Sequence, residues 1–144
     1  TSAGPSTVLS GNATADLAAG THHTCAVLKE SAAIDKTNAL RCWGGNESGQ
    51  IDSSGLNRVT PTNVAPFGGQ PSEQVIAGRA YTCAFRTPAD VACFGDNSFG
   101  QQNFPLVSVA SLAAGGDHTC IIDTTNEIRC FGRNASSELG PFGP

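Results

Sequence analysis

From residue 17 the chain reads LAAGTHHTCAVL, two short apolar segments separated by a glycine and a polar Thr-His-His-Thr. The same order returns as VIAGRAYTCAFR at 75–86 and as LAAGGDHTCIID at 112–123. A second apolar burst follows each copy: LRCWGGNESGQ at 40–50, VACFGDNSFGQ at 91–101 and IRCFGRNASSE at 128–138. Alternating, β-branched segments bounded by Gly, Asn and Asp predict short strands and hairpins. No stretch carries a sustained helical stripe. Residues 31–38 offer only an Ala-Ala-Ile core, too short for more than an inserted turn.

A weaker element precedes each pair of bursts: GPSTV at 4–8, TPTNV at 60–64 and NFPLV at 103–107. Each reads as a leader strand. The chain divides into units of about 4–58, 59–102 and 103–141 within one domain, 1–144, and the first unit is enlarged near 30–38 and 52–59. Several short strands per ~40-residue repeat predict an all-β fold: three blades of a partial β-propeller or a propeller-like solenoid. Trp43, Phe94 and Phe131 share one position, where each ring fills space between neighbouring sheets. Gly44, Gly95 and Gly132 leave room for that ring or take backbone angles closed to other residues. Asn46, Asn97 and Asn134 bond their own backbone at the turn.

Composition narrows the function. A formal net charge of −4 with only eight Lys and Arg, scattered, argues against a nucleic-acid surface. No apolar run approaches the ~18 residues of a membrane span. The chain opens at Thr1 with neither Met nor an apolar signal segment, and reads as a processed or excised piece. Six cysteines, an even number, suit an oxidising compartment. The sequons at Asn12, Asn46 and Asn134 point the same way, to the extracellular space or the cell surface. Asn12 precedes the first repeated strand and ranks first as a glycan carrier, because Asn46 and Asn134 occupy the shared turn position.

Tandem Ala-Gly, His/Tyr-Thr-Cys and Cys-aromatic-Gly-x-Asn elements resemble the regulator-of-chromosome-condensation repeat family. The resemblance rests on Ala19-Gly20, His23-Thr24-Cys25 and Cys42-Trp43-Gly44-Gly45-Asn46 with Gly49-Gln50. Ala77-Gly78, Tyr81-Thr82-Cys83 and Cys93-Phe94-Gly95-Asp96-Asn97 with Gly100-Gln101 carry it in the second unit. Ala114-Gly115, His118-Thr119-Cys120 and Cys130-Phe131-Gly132-Arg133-Asn134 carry it in the third, where Ser137-Glu138 replaces Gly-Gln. The resemblance implies blades of the kind that close a seven-bladed ring. It also implies kinship with a nuclear exchange factor, a bacterial inhibitor propeller and plant receptor-kinase ectodomains. The extracellular members are the nearer comparison for a cysteine-paired, acidic chain.

Six cysteines allow fifteen pairings. If each unit is self-contained, Cys25 pairs with Cys42, Cys83 with Cys93 and Cys120 with Cys130; buried free thiols are the alternative. No metal site is expected, because each unit's cysteines lack a C-x-x-C knuckle and His23 and His118 align with Tyr81. A ring bonded to the backbone accounts for all three positions. His22 reads as solvent-facing. Asp96 and Asp117 are placed to meet Arg79 or Arg133 across blades. No nucleophile–base set recurs and no phosphate loop precedes a helix, so neither catalysis nor a cofactor is expected.

What remains is a structural or interaction protein. The segments that differ between units, 29–39, 52–58 and 66–73, are where binding residues concentrate on a rigid scaffold. Phe67 and Phe142 are exposed-apolar candidates for a partner surface. The reading preferred from sequence is head-to-tail assembly, in which Gly4, Pro5, Ser6, Thr7 and Val8 of one copy dock on the 128–140 region of the next, with Phe142 nearby. Such contacts give a closed ring or a helical filament, tilted here towards the filament. The alternative is an extracellular protein- or glycan-binding fragment of a propeller, akin to a receptor ectodomain or an inhibitor.

Overall fold

The computed structural model describes residues 4, 7–9, 14–29, 40–86, 90–105 and 108–141. Among them, ten strands form three antiparallel sheets. The first sheet runs in the order β1 (Thr14–Ala19), β2 (His23–Leu28), β3 (Leu40–Gly44) and β4 (Arg58–Val64). The second joins β5 (Gln74–Ala77), β6 (Tyr81–Arg86) and β7 (Asp90–Gly95). The third joins β8 (Val109–Ala114), β9 (His118–Asp123) and β10 (Ile128–Gly132).

Each sheet carries one disulfide between its second and third strands. Cys25 stands opposite Cys42, Cys83 opposite Cys93 and Cys120 opposite Cys130 in the ladders, and each pair is bonded. The staple lies at the same rung every time, so the repeated Cys-x and x-Cys patterns hold one register in all three sheets. A slip of one residue would turn every core side chain outward.

Alternation then divides the faces. On the first sheet Cys25, Val27, Leu40 and Cys42 point to the second sheet and meet Val75 and Ala84, with Phe94 beside them. On the second sheet Tyr81, Cys83 and Phe85 point onward and meet Val109, Leu112 and Ile121 of the third. Phe131 closes this layer with an edge-on contact to Phe104, ring centroids 5.6 Å apart. Phe94 and Phe131 therefore fill the spaces between sheets. Trp43 differs: it is half-buried and belongs to neither apolar cluster, because it lies on the face of the first sheet turned away from the second.

The leader strands are a second departure. Thr60–Val64 lies in β4, the outer strand of the first sheet, where Leu40 faces Val64, Arg41 faces Asn63 and Cys42 faces Thr62. It closes the first sheet instead of opening the second. Gly4, Thr7 and Val8 form no strand. Nor do residues 103–105, whose amides go to the preceding turn (Asn103 N–H to Gly100 O, Phe104 N–H to Gln102 O), while Pro105 has no N–H to give. Pro5, Ser6, Asn12, Phe142 and nearly all of the 29–39 insertion lie outside the described residues.

Candidate functional site: inter-sheet latches and two open faces

The His/Tyr-Thr-Cys element is a latch between sheets. The His23 ring is buried, with Nε2 2.8 Å from Thr82 Oγ1 in the next sheet. Thr82 spends its single proton on the carbonyl of Gln50, at 2.7 Å, so it accepts from His23 Nε2–H. Nδ1 is then left without a hydrogen bond. Burial pushes the His23 pKa below its ordinary value. Tyr81 repeats the geometry one sheet on. Its hydroxyl donates to the His118 carbonyl at 2.6 Å and meets Thr119 Oγ1 at 2.7 Å. Burial raises its pKa.

The Ala-Gly half of the motif makes room for this ring. A Cβ at Gly20, Gly78 or Gly115 would run into the ring of His23, Tyr81 or His118 of its own unit. The sequence predicted that these rings bond the backbone. The structure widens this: His23 meets the Tyr81 backbone as well as the Thr82 hydroxyl of the neighbouring sheet, and Tyr81 takes both the His118 carbonyl and the Thr119 hydroxyl. His118 is half-buried, and its ring makes no hydrogen bond among the described residues. Thr24, the counterpart of Thr82 and Thr119, is likewise unlatched and half-buried where they are fully buried.

The turn after each third strand is a second repeated device. Asn46, Asn97 and Asn134 each accept with Oδ1 from the amide five residues on, at 2.8, 2.8 and 3.0 Å. Gln50, Gln101 and Glu138 accept from the amide two residues back. Ser137 holds φ at 63°, where the other units have Gly49 at 73° and Gly100 at 74°. The charged contacts sort themselves more simply. Asp117 is nearly buried, 2.6 Å from Arg79 of the second sheet and 3.5 Å from Arg133 of its own. Asp96 instead accepts from Ser98 and Gln101. Phe67 tucks under its loop against the first core, with Arg86 stacked 5.5 Å above its ring. His22, Gly4, Thr7 and Val8 are exposed. No group of three metal-ligating side chains converges among the described residues.

Residues 109–138 match the Regulator of chromosome condensation (RCC1) repeat. The third unit carries this repeat, and the chain as a whole has the fold of RCC1-like propeller blades. Solved structures carry the same fold. Human WBSCR16 matches over 84% of this chain at 19% identity, with a TM-score of 0.69 over 35% of its own length. Prp20p from Saccharomyces cerevisiae matches over 89% of this chain and 34% of its own at 23% identity, TM-score 0.67. The ectodomain of the Physcomitrella patens receptor kinase CR4 matches over 81% and 29% at 25% identity, TM-score 0.59. The chain thus spans about a third of the length of these structures.

As RCC1-like blades, the three sheets define which side chains a neighbouring blade covers. The ladder partners Val27 and Leu40 are 2% and 1% exposed, covered by the second blade. Their counterparts Phe85 and Val91 are covered by the third. In the third blade the same rung holds Ile122 and Ile128, 41% and 72% exposed. The Cys120–Cys130 bridge and the His118 ring lie on this face. An apolar hollow of about 220 Å³ lined by Ala113, Cys120, Ile122 and Ile128 occupies it. The opposite end of the stack is also open: Leu17 is 63% exposed, where its counterparts Val75 and Leu112 are buried, and Thr24 and Trp43 lie on the same side. Sequence reasoning missed Thr24, Thr82, Thr119, Ile122 and Ile128. The unchanging Thr of the His/Tyr-Thr-Cys triplet was the available signal for the first three.

Proposed function

We propose that this chain is a non-catalytic structural and interaction protein of the extracellular space, whose RCC1-like blades join copy to copy head to tail. The observation that carries the reading is the third blade's outward face. Its Ile122, Ile128, His118 and Cys120–Cys130 occupy, position for position, the surface that the first two blades bury against a neighbour. The partner that fits is the first blade of a second copy, which offers Thr24 to the His118 ring and Leu17 and Trp43 to the apolar surface. Uncovered faces and free strand edges of this kind are prone to pairing.

The β3–β4 ladder supports a role for the leader. Thr60–Val64 adds to the first sheet as an outer strand, and Gly4–Val8 carries a similar sequence. In the assembly, Gly4–Val8 of one copy adds to β10 of the next in the same manner, with Pro5, Ser6 and Phe142 at the junction. Three disulfides in an acidic chain, and a receptor ectodomain among its structural neighbours, support an extracellular setting.

A second reading draws on the coverage of about a third of each related structure: further blades of a longer chain, a protein- or glycan-binding propeller, cover both faces. Sedimentation of the purified chain over a concentration series separates the two. Self-assembly predicts multimers that Ile128→Glu, or deletion of residues 1–10, returns to monomer with all three bridges intact. A wild-type chain that stays monomeric at the highest concentration overturns the head-to-tail reading and leaves the longer propeller.

A further inference from the structure

The three turn asparagines hold one position in the repeat and differ in what their amide nitrogens do. Asn46 is fully buried, and its Nδ2 lies within hydrogen-bond reach of Asp52 Oδ1 at 2.9 Å, Ser54 Oγ at 3.3 Å and the Leu56 carbonyl at 3.2 Å. The enlarged loop of the first unit wraps this side chain, so the sequon Asn46-Glu47-Ser48 is folded shut. Asn97 is exposed, but its Nδ2 donates to Asn103 Oδ1 at 2.8 Å and its context is no sequon. Asn134 is exposed, together with Ala135 and Ser136. Its Oδ1 is used by the Leu139 amide, while its Nδ2 makes no hydrogen bond among the described residues. The Ser136 hydroxyl is also uncommitted, since only its amide is engaged, with Glu138.

We infer that Asn134 is an N-glycan acceptor, and that Asn46 is closed to the same chemistry by the fold. The reaction needs Nδ2 and leaves Oδ1 alone. The nitrogen bonds to the anomeric carbon of a lipid-pyrophosphate-linked oligosaccharide, the carbon–oxygen bond to the pyrophosphate breaks, and the amide proton passes to the transferase. At Asn134 this costs the turn nothing, because the bond that shapes the turn is accepted by Oδ1. At Asn46 it removes one of the two N–H donors shared among Asp52, Ser54 and the Leu56 carbonyl, and forces a sugar through a closed loop. Attachment on the nascent chain therefore selects against folding when it falls on Asn46. A glycan at Asn134 is also compatible with a covered end face, since Asn97 stays exposed with the third blade docked beside it.

This inference rests on the extracellular reading for its biological setting, and the test keeps the two apart. The chain, secreted from a eukaryotic host with its bridges formed, is digested and mapped before and after enzymatic deglycosylation. The expected result is a glycan on the peptide holding Asn134, lost completely in both Asn134→Gln and Ser136→Ala, and none on the peptide holding Asn46. Ser136→Ala keeps the asparagine and its turn bond, so its effect reports the acceptor site and not folding. A bridged, secreted chain with Asn134 bare, or with Asn46 occupied, overturns the inference. Free thiols throughout the protein from its natural source would instead defeat the extracellular reading.

Discussion

His23 and Tyr81 hold equivalent places in successive blades, yet only His23 changes charge near neutrality. Its ring is neutral in the folded protein, with its pKa pushed down by burial. In the unfolded chain it titrates near ~6.5. As pH falls through that value the unfolded state binds a proton that the folded state refuses, so stability is full above it and declines below. His23→Tyr replaces the ring by its own counterpart and is expected to flatten the decline in melting temperature between about pH 6.5 and 5. Thermal unfolding of both proteins across that range measures it; parallel curves would show that the latch histidine does not couple to pH. Gly95 makes a different residue-scale case. Its φ is +103° and a Cβ would strike the Ala80 carbonyl and lie 3.0 Å from Gln50 Cα of the previous blade. Gly95→Ala should cost about 1–3 kcal/mol from backbone strain alone, readable as a lowered denaturation midpoint with unchanged slope.

Within each sheet the disulfide does work that the thin core does not. Cys83→Ala with Cys93→Ala opens a loop of sequence separation 10. On the chain-entropy argument this loses about 3 kcal/mol, which corresponds to a fall in melting temperature on the order of 10 °C. A shift of one or two degrees would show that packing alone sets the sheet's stability. The bridges, turns and strand pairs were legible in the sequence because each is local and repeated. Cys42 lies one rung from Trp43, and Asn46 reaches an amide only five residues on. What was not legible involves partners distant in sequence. TPTNV alternates equally well as the first strand of one sheet or the last of another, and only the ladder from Cys42 to Thr62 decides. The threonine latches join residues 59 and 38 positions apart, and no local pattern names such a partner. Trp43 misled for a related reason: its position is interior in blades two and three, and facing outward in the first.

Across the whole molecule every latch points the same way. A ring from one blade always enters the hydroxyl of the blade that follows, from His23 to Thr82 and from Tyr81 to Thr119. The stack therefore has polarity, with a ring at one end and a threonine at the other. Two copies related by a two-fold axis would set His118 against His118 and leave both Thr24 hydroxyls unmatched, so a symmetric pair gains nothing from the device. Any join that uses it runs in one direction along the stack, and its two ends are chemically distinct. In the proposed head-to-tail assembly, a small proportion of copies altered only at the ring end would still be accepted through their threonine end, and would then halt growth.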